Sequence, residues 1–527
     1  MEDIKEPVTM HSFLADDAPV ETTPGHEKEK AGTNYDQHDM KRMGKRQDLR
    51  RNFRFLSIFG FTMVLMATWE AQFSASTFAL INGGTGGAIW VYIGTFIGFF
   101  LAIASMAEMA SMAPTTGGQY HWVSEFAPRN AQKQLSYIVG WLCVLGWQVG
   151  NCAIGYLCGT VIQGLVILNN PDYVAKPWHG TLIIWAVLTF SLLFNSYFAS
   201  KLPLLEAVVL ILHILGFFAI LIPLWVLGNR SKASDVFFTF QDGGGWGNQG
   251  LSCLVGMLSP VFSFIGPDSA THMSEELQDA SRTLPLAMIW TAAVNGAMGF
   301  VMIVTFCMFI GDLEAALSGP TGYPFISVFY NVTQSKAGTS VMTSILIIML
   351  LFGCVTNFAT SSRQLWAFSR DQGTPFARWL SAVRPGWDIP LNSIFFSYVF
   401  AMLLSLINLG SSVALNIITS LGTGALIVSY VISISCVIAK RLRGEPLLPR
   451  RWSLGAWGLP INIVSVLFLS LVFIMNFFPI SPVGLNAVTF NWNILITGAV
   501  VIIAGIYYFV HGRKVYDGPV AYVRKDV

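Results

Sequence analysis

Met66-Ala67-Thr68-Trp69-Glu70-Ala71-Gln72 sits in the middle of an apolar run from Phe55 to Ile81. The run is long enough to cross a hydrocarbon core of about 30 Å as a helix, yet it carries a carboxylate near its centre. A charge at that depth costs on the order of 3 kcal/mol or more, so it normally faces a cavity or pathway rather than lipid. A second run, Leu251 to Thr271, is interrupted around Ser259-Pro260 and Gly266-Pro267-Asp268. Two interrupted apolar segments in corresponding places of two halves form the pattern of a binding site built at helix breaks.

The rest of the chain has the composition of a membrane protein. Of its 527 residues, 54% are hydrophobic and 11% charged, and the mean hydropathy is +0.58, whereas soluble chains are about 25% charged. Twelve apolar blocks are read, at 56–82, 88–110, 135–168, 180–198, 204–228, 250–273, 286–310, 338–367, 391–409, 412–438, 459–478 and 491–511. Unpaired backbone groups are not tolerated in lipid, so blocks of this length predict helices. The fold class expected is an all-α membrane protein with twelve transmembrane helices.

An even helix count puts both termini on one side. If that side is the cytosol, all but Lys176, Arg230, Lys232 and Lys336 of the 31 Lys and Arg residues lie inside, as the positive-inside rule requires. The charge is sorted by side, so the formal net charge of +2 suggests no nucleic-acid partner; the partner expected from composition is the lipid bilayer. Residues 1–54 are polar without an apolar run and predict a disordered cytosolic tail. The organisation expected is residues 55–228 as a first repeat of five helices, 249–439 as a second, 459–511 as helices 11 and 12, and 512–527 as a cytosolic tail. An odd number of helices per half forces opposite orientations, giving an inverted 5+5 repeat. The seven cysteines fall inside predicted helices with no CxxC or Cys/His metal spacing, and no cofactor or metal is expected.

At the first break Thr68, Trp69 and Glu70 are candidate substrate contacts. Glu70 is expected to face the cavity and either attract an amine or carry a coupled proton; the alternative is that polar partners hold it and fix the break. Trp69 offers a cation–π face to an ammonium. At the second break Pro260 and Pro267 lack amide hydrogens and free the carbonyls around them, which suits an ammonium. Phe262 or Phe264 would stack or gate, Gly266 marks the turn, and Asp268 either contacts ligand or pairs with a basic residue. Trp147 and Gln148 in helix 3 are further substrate candidates. Gln148 and Asn151 share a face, so they either line the cavity or bridge helices. Asn357, Thr360 and Ser361 in helix 8 and Asn416, Thr419 and Thr423 in helix 10 are weaker polar candidates. Glu108, Glu206, Glu275 and Glu276, near cytosolic helix ends, are expected in gate networks with Arg363 or Arg370. No HExxH, GxSxG, P-loop or Ser/His/Asp set points to an enzyme.

Three stretches resemble the amino-acid/polyamine/organocation permeases: Glu108-Met109-Ala110-Ser111-Met112-Ala113-Pro114-Thr115-Thr116-Gly117-Gly118-Gln119-Tyr120-His121-Trp122-Val123, Gly266-Pro267-Asp268 with His272-Met273-Ser274-Glu275-Glu276 and Leu284-Pro285, and Arg363-Gln364-Leu365-Trp366-Ala367-Phe368-Ser369-Arg370-Asp371 with Ile389-Pro390-Leu391. Met66-Ala67-Thr68-Trp69-Glu70 and Gly117-Gly118-Gln119-Tyr120-His121-Trp122 resemble the fungal choline/GABA branch. The resemblance covers about residues 50 to 515 and implies a LeuT-like fold, alternating access and, usually, proton-driven uptake; the substrate candidates are an amino acid, GABA, choline or a polyamine, and the plasma membrane is the default location, a vacuolar membrane reading the same. A glycine-rich turn that cradles a substrate carboxylate in such proteins is replaced here by Ala67-Thr68-Trp69-Glu70, which tilts the expectation toward cationic amines. Relatives that use protons can place a basic side chain on helix 5; His213, within Leu210-Ile211-Leu212-His213-Ile214-Leu215, matches by helix and is, with Glu70, a candidate for proton coupling, the alternative being a hydrogen-bonded packing histidine. Glu108, Glu275 and Arg363 form the expected cytosolic gate. The alternative reading is a non-transporting nutrient sensor of the same fold.

Overall fold

The computed structural model describes residues 32–383, 387–410, 414–486, 489–516 and 518–519. Twelve apolar helices span it: α1 Phe55–Ser74, α2 Thr77–Met112, α3 Gln132–Asn169, α4 Pro177–Tyr197, α5 Ala199–Leu227, α6 Gln249–His272, α7 Ala280–Phe309, α8 Lys336–Arg370, α9 Leu391–Leu409, α10 Leu415–Leu442, α11 Gly455–Met475 and α12 Asn493–Val515. The first and sixth are the broken ones. α1 consists of Phe55–Met66 and Thr68–Ser74, joined at Ala67 in the left-handed region (φ 42°, ψ 43°). α6 consists of Gln249–Gly256, Leu258–Phe264 and Ser269–His272, with Gly266 at φ 131°. A Cβ at Gly266 would approach Leu65 Cδ2 of the other break to 2.8 Å, so glycine is needed both for its dihedral and for the close crossing.

The breaks are tied to each other. Thr68 Oγ1 donates to the Ser263 carbonyl (2.8 Å) and Gln72 Nε2 donates to Ser263 Oγ (3.1 Å). Around this centre α1 packs on α5, α7 and α8, α2 packs on α7 and α11, and α3 packs on α8 and α10. The most exposed spans are α11 and α12, whose outward faces carry Leu467, Ile474, Ile502, Ile503 and Phe509, the side chains a lipid-facing surface requires.

Two expectations change. The apolar run that begins at Phe55 does not continue as one helix to residue 82: α1 ends at Ser74, and Thr77 starts α2, which bends at Gly84 (φ 65°, ψ −164°). The polar segment before α1 is also not structureless where it is described. Asn34–Arg42 is a helix with a Thr33 capping box, and Met40, Met43, Leu49 and Phe53 are buried. Asp36 accepts the backbone N–H groups of Asp279 and Ala280 (both 2.9 Å) and so caps α7 from another part of the chain. Arg51, paired with Asp36 at 3.4 Å, donates to the carbonyls of Ser274 and Leu277. Composition announces disorder here because the segment's partners are backbone groups of distant loops, which no local pattern records. Residues 1–31 lie outside the described residues.

Both described chain ends gather at one end of the bundle, the tail face. Tyr516 there shares a 2.6 Å hydrogen bond with Ser136, and Lys133 donates to the Arg513 carbonyl at 2.8 Å.

Candidate functional site

A cavity of about 70 Å³ lies where the two breaks meet. Its walls are Met66 and Ala67 of α1, Phe262, Ile265 and Gly266 of α6, Trp147 and Gly150 of α3, Asn357 of α8, and Thr419 and Thr423 of α10. No side chain in the wall is charged. The polar groups are an amide, two threonine hydroxyls, the Trp147 indole and backbone at the breaks. A second, wider cavity of about 260 Å³ adjoins it away from the tail face and shares Leu157, Phe262 and Thr419 with it; Phe262 therefore stands between the two.

The sequence candidates divide by position. Trp147, Phe262 and Gly266 line the cavity, as do Asn357, Thr419 and Thr423, whereas Asn416 lines the outer chamber. Gln148 and Asn151 bridge helices instead: Gln148 Nε2 donates to the Ser361 carbonyl (3.3 Å), and Asn151 Nδ2 donates to Ser361 Oγ (2.8 Å). Asn357 Nδ2 in turn donates to Asn151 Oδ1 (2.6 Å), which fixes the amide in the cavity wall. Phe264 points away and stacks on Phe96 and Phe99 (centroids 5.6 and 6.0 Å). Asp268 is buried with no basic partner; it accepts from Gln119 Nε2 and Tyr430 Oη, both at 2.7 Å. Gly146, Gly422 and Leu426, also in the wall, were not singled out by sequence; glycines four apart on α3, Gly146 and Gly150, are the signal that could have marked a close helix crossing.

Thr68, Trp69 and Glu70 do not line the cavity. The left-handed residue at Ala67 turns the short second piece of α1 so that Glu70 and Trp69 face α5, and all three are fully buried. Glu70 Oε1 lies 2.7 Å from His213 Nδ1, and Trp69 Nε1 lies 3.2 Å from the same nitrogen. His213 Nε2 faces Asn295 Oδ1 at 3.1 Å, and the Asn295 amide is oriented by donating Nδ2–H to the Met63 carbonyl (3.0 Å).

This arrangement restricts the protons. Oδ1 of Asn295 only accepts, so Nε2 of His213 carries a hydrogen. Nδ1 then either bears a second hydrogen and donates to a Glu70 carboxylate, or is bare and accepts from Trp69. A single ring nitrogen cannot do both. In the bare state a Glu70 carboxylate would face a lone pair, so Glu70 must itself be the acid to keep the contact. Glu70 and Trp69 thus face one ring nitrogen that can bond only one of them at a time, immediately behind the backbone of the first break.

At the tail face the acids find bases, though not always the expected ones. Glu275 takes a bidentate contact from Arg370 (2.7 and 2.8 Å), and Arg363 pairs with Glu276 (2.8 Å). Glu108 pairs with neither of these arginines but with Arg441 and Arg450. Lys45 pairs with Asp371, and Arg50 with Asp388. Glu206 is not in this layer: it is buried in α5, where Oε1 accepts from Thr356 Oγ1 (3.0 Å). Burial pushes the Glu275 and Asp371 carboxyls up, but Arg370 beside Glu275, and Lys45 and Arg370 beside Asp371, outweigh it and hold both below their ordinary values. Burial is the main influence on Lys45 and lowers it.

Residues 53–504 match the amino acid permease family. The chain is 30% identical over 441 residues to the choline transporter of Saccharomyces cerevisiae, covering 82% of this chain and 77% of that one. It is 29% identical to an uncharacterized amino-acid permease of Schizosaccharomyces pombe (92% and 89% covered) and 26% identical to the GABA-specific permease of S. cerevisiae (92% and 86%). Twelve apolar spans, breaks in the first and sixth, and a family match that runs across almost all of them give one assignment: this chain belongs to the amino acid permease family of multi-pass membrane transporters.

Proposed function

We propose that this permease is a proton-driven secondary transporter that takes up a small amine-bearing metabolite, such as an amino acid, GABA, choline or a polyamine. It works by alternating access in a LeuT-like 5+5 repeat, at the plasma membrane, with both termini cytosolic. The observation that carries the reading is the Glu70–His213 contact. It is a buried acid–base pair set behind the helix break that forms the cavity wall, with Trp69 competing for the same ring nitrogen. Histidine is the side chain whose charge changes nearest physiological pH, and a proton taken up here alters the bonds of α1 at its hinge.

In this reading the substrate sits between Trp147 and Phe262, with Asn357, Thr419 and Thr423 and the break carbonyls as polar contacts. The lack of a charged wall residue fits a substrate whose charge is met by aromatic faces and carbonyl dipoles. Thr68 couples the breaks, and Asp268 and Gln148 brace the wall. The ion pairs Glu275–Arg370, Glu276–Arg363 and Glu108–Arg441 close the cytosolic side, while Phe262 separates the cavity from the outer chamber. The supporting relatives are the choline and GABA transporters named above.

The test is uptake of radiolabelled choline, GABA, basic and neutral amino acids and polyamines in transporter-deficient cells at pH 5 and pH 7.5, with and without a protonophore. Saturable uptake of one compound, stronger at acid pH and abolished by the protonophore, is expected. Uptake indifferent to pH and protonophore refutes proton coupling.

A further inference from the structure

Most buried acids in this molecule have bases. Glu70 has His213, and Glu108, Glu275 and Glu276 have arginines. Asp268 lacks a base, but both of its oxygens accept hydrogen bonds. Glu206 differs from all of these. It is fully buried, Oε1 accepts from Thr356 Oγ1, and Oε2 has no hydrogen-bond partner among the described residues. A bare carboxylate in such a place is far too costly; a carboxyl group that keeps its proton is not.

Its position is specific. Glu206 precedes His213 by seven residues, which is two turns of α5. The two side chains therefore lie on one face, with Glu206 roughly 10 Å nearer the tail face. Both meet α1. At Gly60 a Cβ would come within 2.8 Å of the Glu206 carbonyl oxygen, so the tail-side half of α1 lies directly on α5 at this level. The other titratable groups on the packed elements are engaged or remote. Phe55–Met66 contains none. On α8, Arg363 and Arg370 hold Glu276 and Glu275, and Cys354 lies against the Asn151 carbonyl. Lys201 at the start of α5 and Arg282 of α7 are exposed.

We propose that Glu206 is a second proton-carrying carboxyl of the transport cycle, protonated while α1 covers it and deprotonated to the tail side when α1 leaves α5. The proposal rests on the proton-driven reading above. In the release step the carboxyl O–H bond of Glu206 breaks, the proton passes to water on the tail side, and the electron pair stays on the carboxylate. After the substrate has left, one proton from the opposite side restores the acid before the next release. With the proton carried at Glu70–His213, two protons then move per substrate.

The measurement is the steady accumulation ratio of radiolabelled choline, and separately of GABA, in proteoliposomes of the full chain, with the membrane potential clamped at zero and a gradient of one pH unit. Each coupled proton contributes a factor of ten per pH unit, so wild type is expected near about 100-fold and Glu206→Gln near about 10-fold. An equal ratio in the two proteins, or a wild-type ratio near about 10-fold, overturns the second site. A wild type that ignores the gradient refutes the proton-driven reading instead, and the two failures are distinct. Infrared spectra of the purified protein supply a readout independent of substrate. Wild type should show the C=O stretch of a neutral carboxylic acid that Glu206→Gln removes; its persistence overturns the proposal. If Glu206→Gln does not reach the membrane, Thr356→Val keeps the acid, and an unmoved C=O band in that variant overturns it equally.

Discussion

His213 and Glu70 meet at 2.7 Å across the α1–α5 interface, and Trp69, the residue before Glu70, points its indole N–H at the same imidazole nitrogen from 3.2 Å. The two neighbours cannot both be satisfied by one protonation state of the ring. Glu70→Gln removes the acid and leaves an amide that bonds the ring whatever the pH. We expect protonophore-sensitive uptake to fall about a hundredfold or more, the scale on which a positioned proton-transfer group acts, while the amount of protein at the membrane is unchanged. Wild-type uptake and pH dependence in this variant would contradict the role.

Trp69→Phe keeps the ring that packs on Phe217 (centroids 6.1 Å) but deletes the donor that stabilises the bare form of Nδ1. If the indole N–H takes part in proton handling at His213, the pH profile of protonophore-sensitive uptake should change its midpoint. A profile that keeps its midpoint while only its height changes would show that the indole is packing alone.

Phe262 is shared by the inner cavity and the outer chamber. If it lies on a cationic amine, Phe262→Ala removes a contact worth about 0.5–2 kcal/mol, so KM should rise about twofold to thirtyfold, with kcat less affected. A KM within error of wild type would place the substrate elsewhere.

Glu275 is fully buried and Arg370 holds both of its oxygens. Arg370→Ala strands that charge and should cost about 3–5 kcal/mol, read as a lower melting temperature of the purified protein. The same pair predicts a pH dependence. Glu275 and Asp371 lie below their ordinary values of 4.5 and 3.8 in the folded protein. Their contribution is complete at neutral pH, begins to fade as the pH drops past those ordinary values, and is lost as it passes the lower folded ones. Melting temperature should therefore be insensitive to these groups down to about pH 5 and fall below it, and the fall should be shallower in Glu275→Gln.

Asp36 accepts two backbone N–H groups at the start of α7. Asp36→Ala leaves them unpaired and frees Arg51, at an expected cost of about 1–3 kcal/mol. The checkable signature is local: protease cleavage within residues 32–54 should accelerate before the helices themselves unfold.

How far the sequence reaches is visible in these residues. The twelve spans follow from apolar length, and the breaks from Glu70 and from Gly266-Pro267, because both are single-residue violations of a strong pattern. Glu70 and His213 could be nominated separately, since an ionisable group in an apolar helix is costly wherever it points. That they touch each other, and that Glu70 turns its back on the cavity, depends on the one left-handed residue at Ala67, whose dihedral rotates everything after it. Alanine does not announce that conformation as glycine would. Charge partners were equally out of reach: Glu108 chose Arg441 over Arg363 because α2 and α10 meet at the tail face, a fact of packing. Residues 32–54 looked featureless because their anchors, Asp36 and Arg51, bind main-chain groups more than 200 positions away.

The hydrogen bond from Thr68 to Ser263 joins the outer piece of α1 to the middle piece of α6. Those two pieces are 195 positions apart in the chain, yet they are stitched together on the side of the breaks away from the tail face. A swing that exposes the cavity to the tail face can leave this seam intact by turning only at Ala67 and Gly266. A swing to the opposite face must either carry the seam as one body or tear it. In an alternating-access cycle the two openings would therefore be unlike: one would turn on two single-residue pivots, and the other would have to carry or break the Thr68–Ser263 seam.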